Sequence, residues 1–209
     1  MIDVTFAVMG SQKTAQMMMQ IHHLRAQGHH VLVAKPARDT RDGAFLASRA
    51  PIAPIPCVTF GSASNPIETA LRLAYYASDT EASHLFIDEV NFMTAEEVDY
   101  AVQFADKYEM HLHFAGLLTD FREEMFPGSK RALELCDTFH TIKTPCKCGN
   151  EATRNMRLLD GRATFTGEQI QVGGDESYRS VCRKCYNNKR AAQHMTRTLT
   201  AEKAVMKDL

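Results

Sequence analysis

Three groups of residues in this 209-residue sequence have the types and spacing that chemistry requires. The first is Lys13-Thr14, which closes the stretch Ala7-Val-Met-Gly-Ser-Gln-Lys-Thr14. In the phosphate-binding pattern G-x-x-x-x-G-K-[ST], glycines let backbone N–H groups turn inward, the Lys reaches the β and γ oxygens, and the hydroxyl binds Mg²⁺. Lys13 and Thr14 fit that pattern, whereas Ala7 and Gln12 stand at the glycine positions and Gly10 is displaced, so the match is partial. The second group is Leu85-Phe-Ile-Asp88-Glu89, an apolar run that ends in two adjacent carboxylates. The first acid of such a pair supports Mg²⁺ beside the loop's Thr, and the second stands free at the carboxyl edge of a sheet to act as a base. Taken singly, a Lys-Thr at a helix start or an acidic strand end is also what a solvated surface produces. The third group is Cys146-x-Cys148 with Cys182-x-x-Cys185. Two close thiolate pairs brought together give a tetrahedral Cys₄ site for Zn²⁺, the structural geometry that leaves no open position for catalysis.

For Lys13 and Asp88 to serve one ligand, the strands before them must end side by side. Strands are predicted at Ile2–Val8, His30–Ala34, His84–Asp88, His111–Ala115 and Thr138–Ile142. Helices are predicted at Thr14–Gln27, Pro66–Ala77 and Thr94–Tyr108, the last opened by Thr94 with Glu97 three residues on, a capping box. Strands separated by helices of this length argue for βαβ units, hence an α/β chain with a mostly parallel, doubly wound sheet flanked by helices. This body is expected over residues 1–144. From Pro145 to about Tyr186 no helix pattern is visible, and cysteines and glycines take over. Residues 145–190 therefore read as a small lobe in which the cysteine pairs anchor the ends of the 149–181 loop, and 191–209 as a solvated tail.

Hydrophobic residues make up 44% and charged residues 23%, ordinary values for a globular chain. Lys+Arg minus Asp+Glu is 24 − 25 = −1, so no basic field exists to drive nonspecific binding to nucleic acid or membrane. The start MIDVTFAVMG lacks a charged n-region and a long apolar core, and no apolar run approaches the ~18 residues of a membrane span. A cytoplasmic protein is expected, and its reducing surroundings favour a metal over disulfides for the paired cysteines. Cys57 and Cys136 read as buried small hydrophobes, and His22-His23 and His29-His30 as helix-face and loop residues.

Three further stretches carry a family signature. They are Lys35-Pro-Ala-Arg-Asp39-Thr40-Arg41-Asp42 with Ser48-Arg49, then Gly116-Leu-Leu-Thr-Asp120-Phe121-Arg122 leading to Phe126-Pro-Gly-Ser129, and Gly167-Glu-Gln-Ile-Gln-Val-Gly-Gly-Asp-Glu-Ser-Tyr178 running into Cys182-Arg-Lys-Cys185. Over about residues 2–190 the chain resembles the type II thymidine kinases, with a P-loop NTPase-like sheet and a small C-terminal zinc-bound lasso lobe. The resemblance implies transfer of the ATP γ-phosphate to the 5′-hydroxyl of thymidine, giving dTMP in pyrimidine salvage, with deoxyuridine a further candidate substrate. It implies that Met9, Gly10, Ser11, Gln12, Lys13 and Thr14 hold the phosphates, with Met9 also near the base. Asp39 and Arg41 would lie near the phosphates or the nucleoside 5′ end, Asp88 and Thr14 would support Mg²⁺, and Glu89 would take the hydroxyl proton. Phe92, Leu117 and Phe121 would wall the base pocket, Val172 and Gly173 would read the pyrimidine edge, and Tyr178 would pack beside the thymine methyl. A homotetramer and feedback inhibition by the end-product triphosphate are implied in the same way.

Three positions depart from the family pattern: Gln12 where Gly is usual, Asn91 where Gln is usual, and Gln171 where an apolar residue is common. Forcing a non-glycine residue into left-handed backbone costs on the order of 1–2 kcal/mol, enough to weaken a phosphate loop without abolishing it. Two other readings therefore stay open on sequence alone. One is a catalytically impaired relative that binds nucleotides, and the other a zinc-ribbon nucleic-acid-binding protein, which the charge of −1 opposes.

Overall fold

Apolar runs of five or six residues alternate with helical patterns along the chain, and in the computed structural model they become alternating strands and helices. The structure describes residues 1–62, 64–77, 81–170 and 177–193. In chain order the elements are β1 (Ile2–Phe6), α1 (Lys13–Ala26), β2 (Val31–Pro36), β3 (Phe45–Leu46), β4 (Ile55–Pro56), β5 (Val58–Phe60) and α2 (Ile67–Tyr76). Next come β6 (His84–Ile87), a 3₁₀ turn (Val90–Phe92), α3 (Ala95–Lys107), β7 (His111–Gly116), α4 (Pro127–Leu135) and β8 (Thr138–Thr141). The last named elements are β9 (Arg154–Leu159), β10 (Arg162–Thr164) and β11 (Tyr178–Val181). Thr94 caps α3 as expected: its hydroxyl accepts from the Glu97 N–H, and the Glu97 carboxylate accepts from the Thr94 N–H.

Six strands form one sheet in the order β5-β2-β6-β7-β1-β8, and every pairing in it is parallel. Alternation along the strands sorts their side chains to two faces. Leu85, Ile87, Leu112 and Phe114 point to the side where α2, α3 and α4 contribute Leu71, Phe104 and Ala132. Val33, Phe86 and Ala115 point to the other side, where α1 contributes Met17, Met18 and Ile21. The connection from β1 thus leaves over one face and those from β6 and β7 over the other. A crevice opens outside the carboxyl ends of these strands, where a doubly wound sheet places its ligand. No helix among the described residues is long and apolar enough to cross a membrane.

Beyond the sheet, β9 pairs antiparallel with both β10 and β11. The region expected to hold no helix before Tyr186 corrects that expectation, since residues 183–193 are helical. It also has more of a core than its composition suggested: Ala152, Met156, Val181, Cys182 and Tyr186 are buried together with Val8 from the loop after β1. Tyr186 is fully buried, and its hydroxyl donates to the Phe121 carbonyl at 2.6 Å. The small lobe is therefore packed directly on the loop that follows β1.

Candidate functional site

The crevice is a cavity of about 550 Å³. Met9, Gly10, Ser11, Gln12, Lys13, Thr14, Asp39, Arg41, Asp88, Glu89, Phe92, Leu117, Phe121 and Tyr178 all line it. Val172, Gly173 and Gln171 lie outside the described residues. The loop between β1 and α1 turns through two left-handed residues, Gly10 at φ 70° and Gln12 at φ 64°. Gln12 is exposed, and its side chain makes no capping hydrogen bond to α1. The left-handed backbone expected to strain Gln12 is thus present, and no capping hydrogen bond offsets it. Gln12→Gly is expected to relieve about 1–2 kcal/mol, less the ~0.5–1 kcal/mol that glycine loses in unfolded-chain entropy. For a domain of this size that is a rise in melting temperature of ~2 °C. A lower melting temperature in the variant would mean that the amide makes a contact the backbone geometry conceals.

Lys13 and Ser11 are both buried, and the Ser11 hydroxyl has no hydrogen-bond partner. A buried donor left unpaired costs free energy, and a ligand oxygen in the loop would satisfy it. The Thr14 hydroxyl donates to Asp88 Oδ2 at 2.8 Å, and the Glu89 N–H donates to Asp88 Oδ1 at 2.9 Å. Burial pushes the Asp88 carboxyl above its ordinary range, and the neighbouring Glu89 charge adds to the rise, with Lys13 and the two hydrogen bonds pulling it back. A desolvated carboxylate beside a hydroxyl is an oxygen pair short of positive charge, which fits a hard divalent cation.

Glu89 itself sits at φ 56°, a second strained non-glycine position on the cavity wall. Its Oε1 accepts from an Arg41 terminal nitrogen at 2.6 Å, while Arg41 Nε donates to Asp39 Oδ1 at 2.6 Å. Lys35, only 1% exposed, completes the row by pairing with Asp39 Oδ2 at 3.3 Å. Signs alternate along Lys35, Asp39, Arg41 and Glu89, so each buried charge has an opposite neighbour. Burial alone would raise the Asp39 carboxyl, but Arg41 and Lys35 outweigh it and hold it below its ordinary value. Burial likewise works against the Arg41 charge, and Asp39 and Glu89 together raise its pKa instead.

The turn after Glu89 explains two of the sequence stretches. Asn91 is 1% exposed; its Oδ1 accepts from the Leu117 N–H at 2.9 Å and its Nδ2, also facing buried space, has no partner. A Cβ on Gly116 would come within 2.7 Å of Asn91 Oδ1, and one on Gly128 within 2.3 Å of the Val90 carbonyl, so both close approaches need glycine. The Ser129 hydroxyl holds the Leu117 carbonyl at 2.6 Å. Leu117 is thus fixed at both backbone groups on the cavity wall.

Several lining or supporting residues were not singled out by sequence reasoning. Asn155 on β9 accepts from the Met9 N–H at 2.9 Å and donates to the Thr119 carbonyl at 3.1 Å, while the Ser180 hydroxyl on β11 donates to the Met9 carbonyl. Met9 is therefore held at both backbone groups by the small lobe. Arg157 is 4% exposed and has no carboxylate partner among the described residues. Its guanidinium donates to the Tyr178 hydroxyl and the Glu168 and Gln169 carbonyls, and lies 3.7 Å over the Phe121 ring. Buried Asn and Arg in a short strand carry no sequence pattern that distinguishes them from solvated ones.

The four paired cysteines come together with Sγ atoms within 4.8 Å of one another. Cys148 Sγ is 3.6 Å from Cys146 Sγ and 3.5 Å from Cys182 Sγ. Four thiolates at ~2.3 Å around a tetrahedral metal stand about 3.8 Å apart, so this cluster could hold one ion with little movement. The Cys185 N–H donates to Cys182 Sγ at 3.4 Å, the outer hydrogen bond that stabilises a thiolate ligand.

A parallel sheet with a strand–loop–helix cradle and an acidic strand end facing it defines a nucleotide-binding α/β protein. The thymidine kinase family model matches residues 1–186, and the chain belongs to that family. It is 34% identical over 190 residues to a thymidine kinase of Legionella pneumophila (strain Lens), covering 90% of each chain. It is also 34% identical over 189 residues to the thymidine kinase of Enterobacteria phage T4, covering 88% of this chain and 93% of the relative. A Streptococcus gordonii thymidine kinase shares 33% identity over 185 residues, 87% of this chain and 93% of the relative.

Proposed function

We propose that this kinase transfers the γ-phosphoryl group of ATP to the 5′-hydroxyl of thymidine, producing dTMP and ADP. The observation that carries the reading is the convergence on one cavity of the Lys13-Thr14 cradle, the Asp88-Glu89 pair and the Arg41 guanidinium bonded to Glu89. Phosphoryl transfer asks for positioning and charge neutralisation more than covalent help, and this cavity concentrates both. The loop from Met9 to Thr14 receives the phosphates, with Lys13 Nζ and the free Ser11 hydroxyl as donors to their oxygens. Thr14 and Asp88 would hold Mg²⁺, whose charge offsets that of the phosphates when bound. Glu89 accepts the 5′-hydroxyl proton as the new O–P bond forms; the bond from the γ-phosphorus to the bridging oxygen breaks, and its electron pair leaves on ADP. Arg41, oriented by Asp39 and through it by Lys35, places a positive charge beside the transferring group.

Phe92, Leu117, Phe121 and Tyr178 wall the base, and the unpartnered Nδ2 of Asn91 is available as a donor on that wall. Backbone groups at Val172 and Gly173 read the pyrimidine edge in this proposal. The four-cysteine cluster holds Zn²⁺ as a structural ion that ties the lasso lobe, residues 145–190, to the nucleotide-binding body, residues 1–144. A homotetramer in the cytoplasm follows from the likeness to the family. The test is a panel of nucleosides incubated with ATP and Mg²⁺, with monophosphate formation followed by chromatography. Thymidine-dependent formation of dTMP and ADP is expected. ATP binding without nucleoside-dependent turnover would overturn the proposal.

A further inference from the structure

At the amino ends of the strands, on the far side of the sheet from the cavity, β6 and β7 both begin with histidine. His84 and His111 face each other in register, and His113 lies two residues further along β7, so all three project from the face that α1 covers. Their ring nitrogens lie within 4.8 Å of one another. His84 Nδ1 is 3.1 Å from His113 Nε2. Two imidazole nitrogens bound at ~2.0–2.1 Å to a tetrahedral cation stand about 3.3 Å apart, so this pair is already spaced as ligands are.

The surroundings add an independent sign. The second ring nitrogen of His113, Nδ1, lies 3.5 Å from Asp3 Oδ2, and Asp3 stands opposite His113 in the β1–β7 register. A carboxylate on the distal nitrogen fixes the tautomer that turns a lone pair toward the shared centre, as outer-shell partners of metal-bound histidines do. Phe86 stacks on His113 at 4.2 Å and 9°, and His29 meets His84 edge-on at 5.1 Å, so two of the rings are held in place by packing. A simple N–H···N hydrogen bond accounts for His84 and His113. It does not account for His111, which is exposed and whose ring lies 5.2 Å from that of His84.

We propose that His84, His111 and His113 form a second metal site, separate from the four cysteines, that takes a borderline divalent cation such as Zn²⁺. Three imidazoles suit Zn²⁺, Co²⁺, Ni²⁺ or Cu²⁺ and offer nothing to Mg²⁺ or Ca²⁺, and water completes the coordination. The cation would tie β6 to β7 at the end of the sheet remote from the chemistry, so it would stabilise the fold and leave turnover unchanged.

The test uses Zn²⁺ itself as the probe. Purified full-length protein is equilibrated with micromolar Zn²⁺, freed of unbound metal, and its zinc counted beside that of His111→Ala. His111 is exposed, so its removal leaves the His84–His113 bond and the fold in place, which circular dichroism and unchanged turnover would verify. Wild-type protein is expected to carry about one equivalent more than the variant, and its melting temperature to rise with added Zn²⁺ where the variant's does not. Asp3→Asn should keep the site but weaken it by about 10–100-fold. Because the readout is a difference, it stands whatever the loading of the cysteine cluster and whatever the substrate of the kinase. Equal zinc in wild type and His111→Ala would overturn the proposal, as would Co²⁺ uptake showing thiolate charge-transfer bands alone.

Discussion

Replacing Glu89 by Gln is expected to lower kcat by about 10²–10⁴-fold while thymidine affinity changes little. The substitution keeps the shape of the side chain and an oxygen that can still accept from Arg41, which now sits 2.6 Å from Glu89 Oε1. Glutamine can take the left-handed backbone that Glu89 already holds at φ 56°, as Gln12 does at φ 64°. What disappears is the proposed acceptor for the 5′-hydroxyl proton. One side effect has a definite sign: the Glu89 charge raises the Asp88 carboxyl, so its loss makes Asp88 easier to ionise and does not weaken its hold on a cation. A fall in turnover therefore reports the base and not a lost metal. Single-turnover kinetics at saturating ATP and thymidine, with nucleoside binding measured by calorimetry, separates the two. Near-wild-type turnover in the variant would remove Glu89 from the role of base.

The alternation of apolar strands and helical segments was enough to place most of the parallel sheet and three of its helices in the sequence. The strand expected over His84–Asp88 is observed as His84–Ile87, and the helix expected over Thr94–Tyr108 as Ala95–Lys107 with Thr94 as its cap. Elements without periodicity were not legible. Strands β3 and β4 have two residues each and β5 has three, too few for an alternation to show. Helix α4 turns Ala132, Leu133 and Leu135 toward the core, but it has only nine residues and opens on Pro127-Gly128, a pair that reads as a turn. Strand β9 buries Asn155 and Arg157, polar residues satisfied by hydrogen bonds and an aromatic face, so its inward positions read as outward ones. The site shows the same division. Lys13, Asp88 and Glu89, which line one cavity, could be singled out in the sequence because the proposed phosphate and proton chemistry restricts which residue types can serve. Lys35, Asn155 and Ser180 act by holding other groups, and many residue types hold a backbone amide or a carboxylate equally well.

That support network joins the small lobe to the proposed phosphate site, and removing the metal proposed for its cysteines should therefore weaken two ligands at once. Cys182→Ser is expected to release the zinc proposed for the four cysteines, since a Cys₄ site that loses one thiolate loses a quarter of its donors and the tetrahedral closure. Cys182 is buried beside Val181, Met156, Tyr186 and Val8, so the change strikes the centre of the lobe's only hydrophobic cluster among the described residues. β11 then loses its anchor, and with it go the Ser180 hydroxyl on the Met9 carbonyl and the Tyr186 hydroxyl on the Phe121 carbonyl. Phe121 and Tyr178 wall the cavity, so the thymidine KM should rise. Met9 opens the phosphate loop, so ATP should bind more weakly even without nucleoside. The lost contacts are two hydrogen bonds, each of about 0.5–1.5 kcal/mol, and the one on Met9 sets the loss in ATP affinity at up to roughly tenfold. Cleavage by added protease between residues 150 and 180 should accelerate in parallel. Cys136→Ser is the control, because Cys136 lies apart from the cluster with its thiol on the Leu133 carbonyl, and it should keep its zinc and both affinities. Zinc retained in Cys182→Ser would show that the four cysteines are not the ligands. Zinc lost with ATP affinity unchanged would break the link through Met9 while leaving the metal site intact.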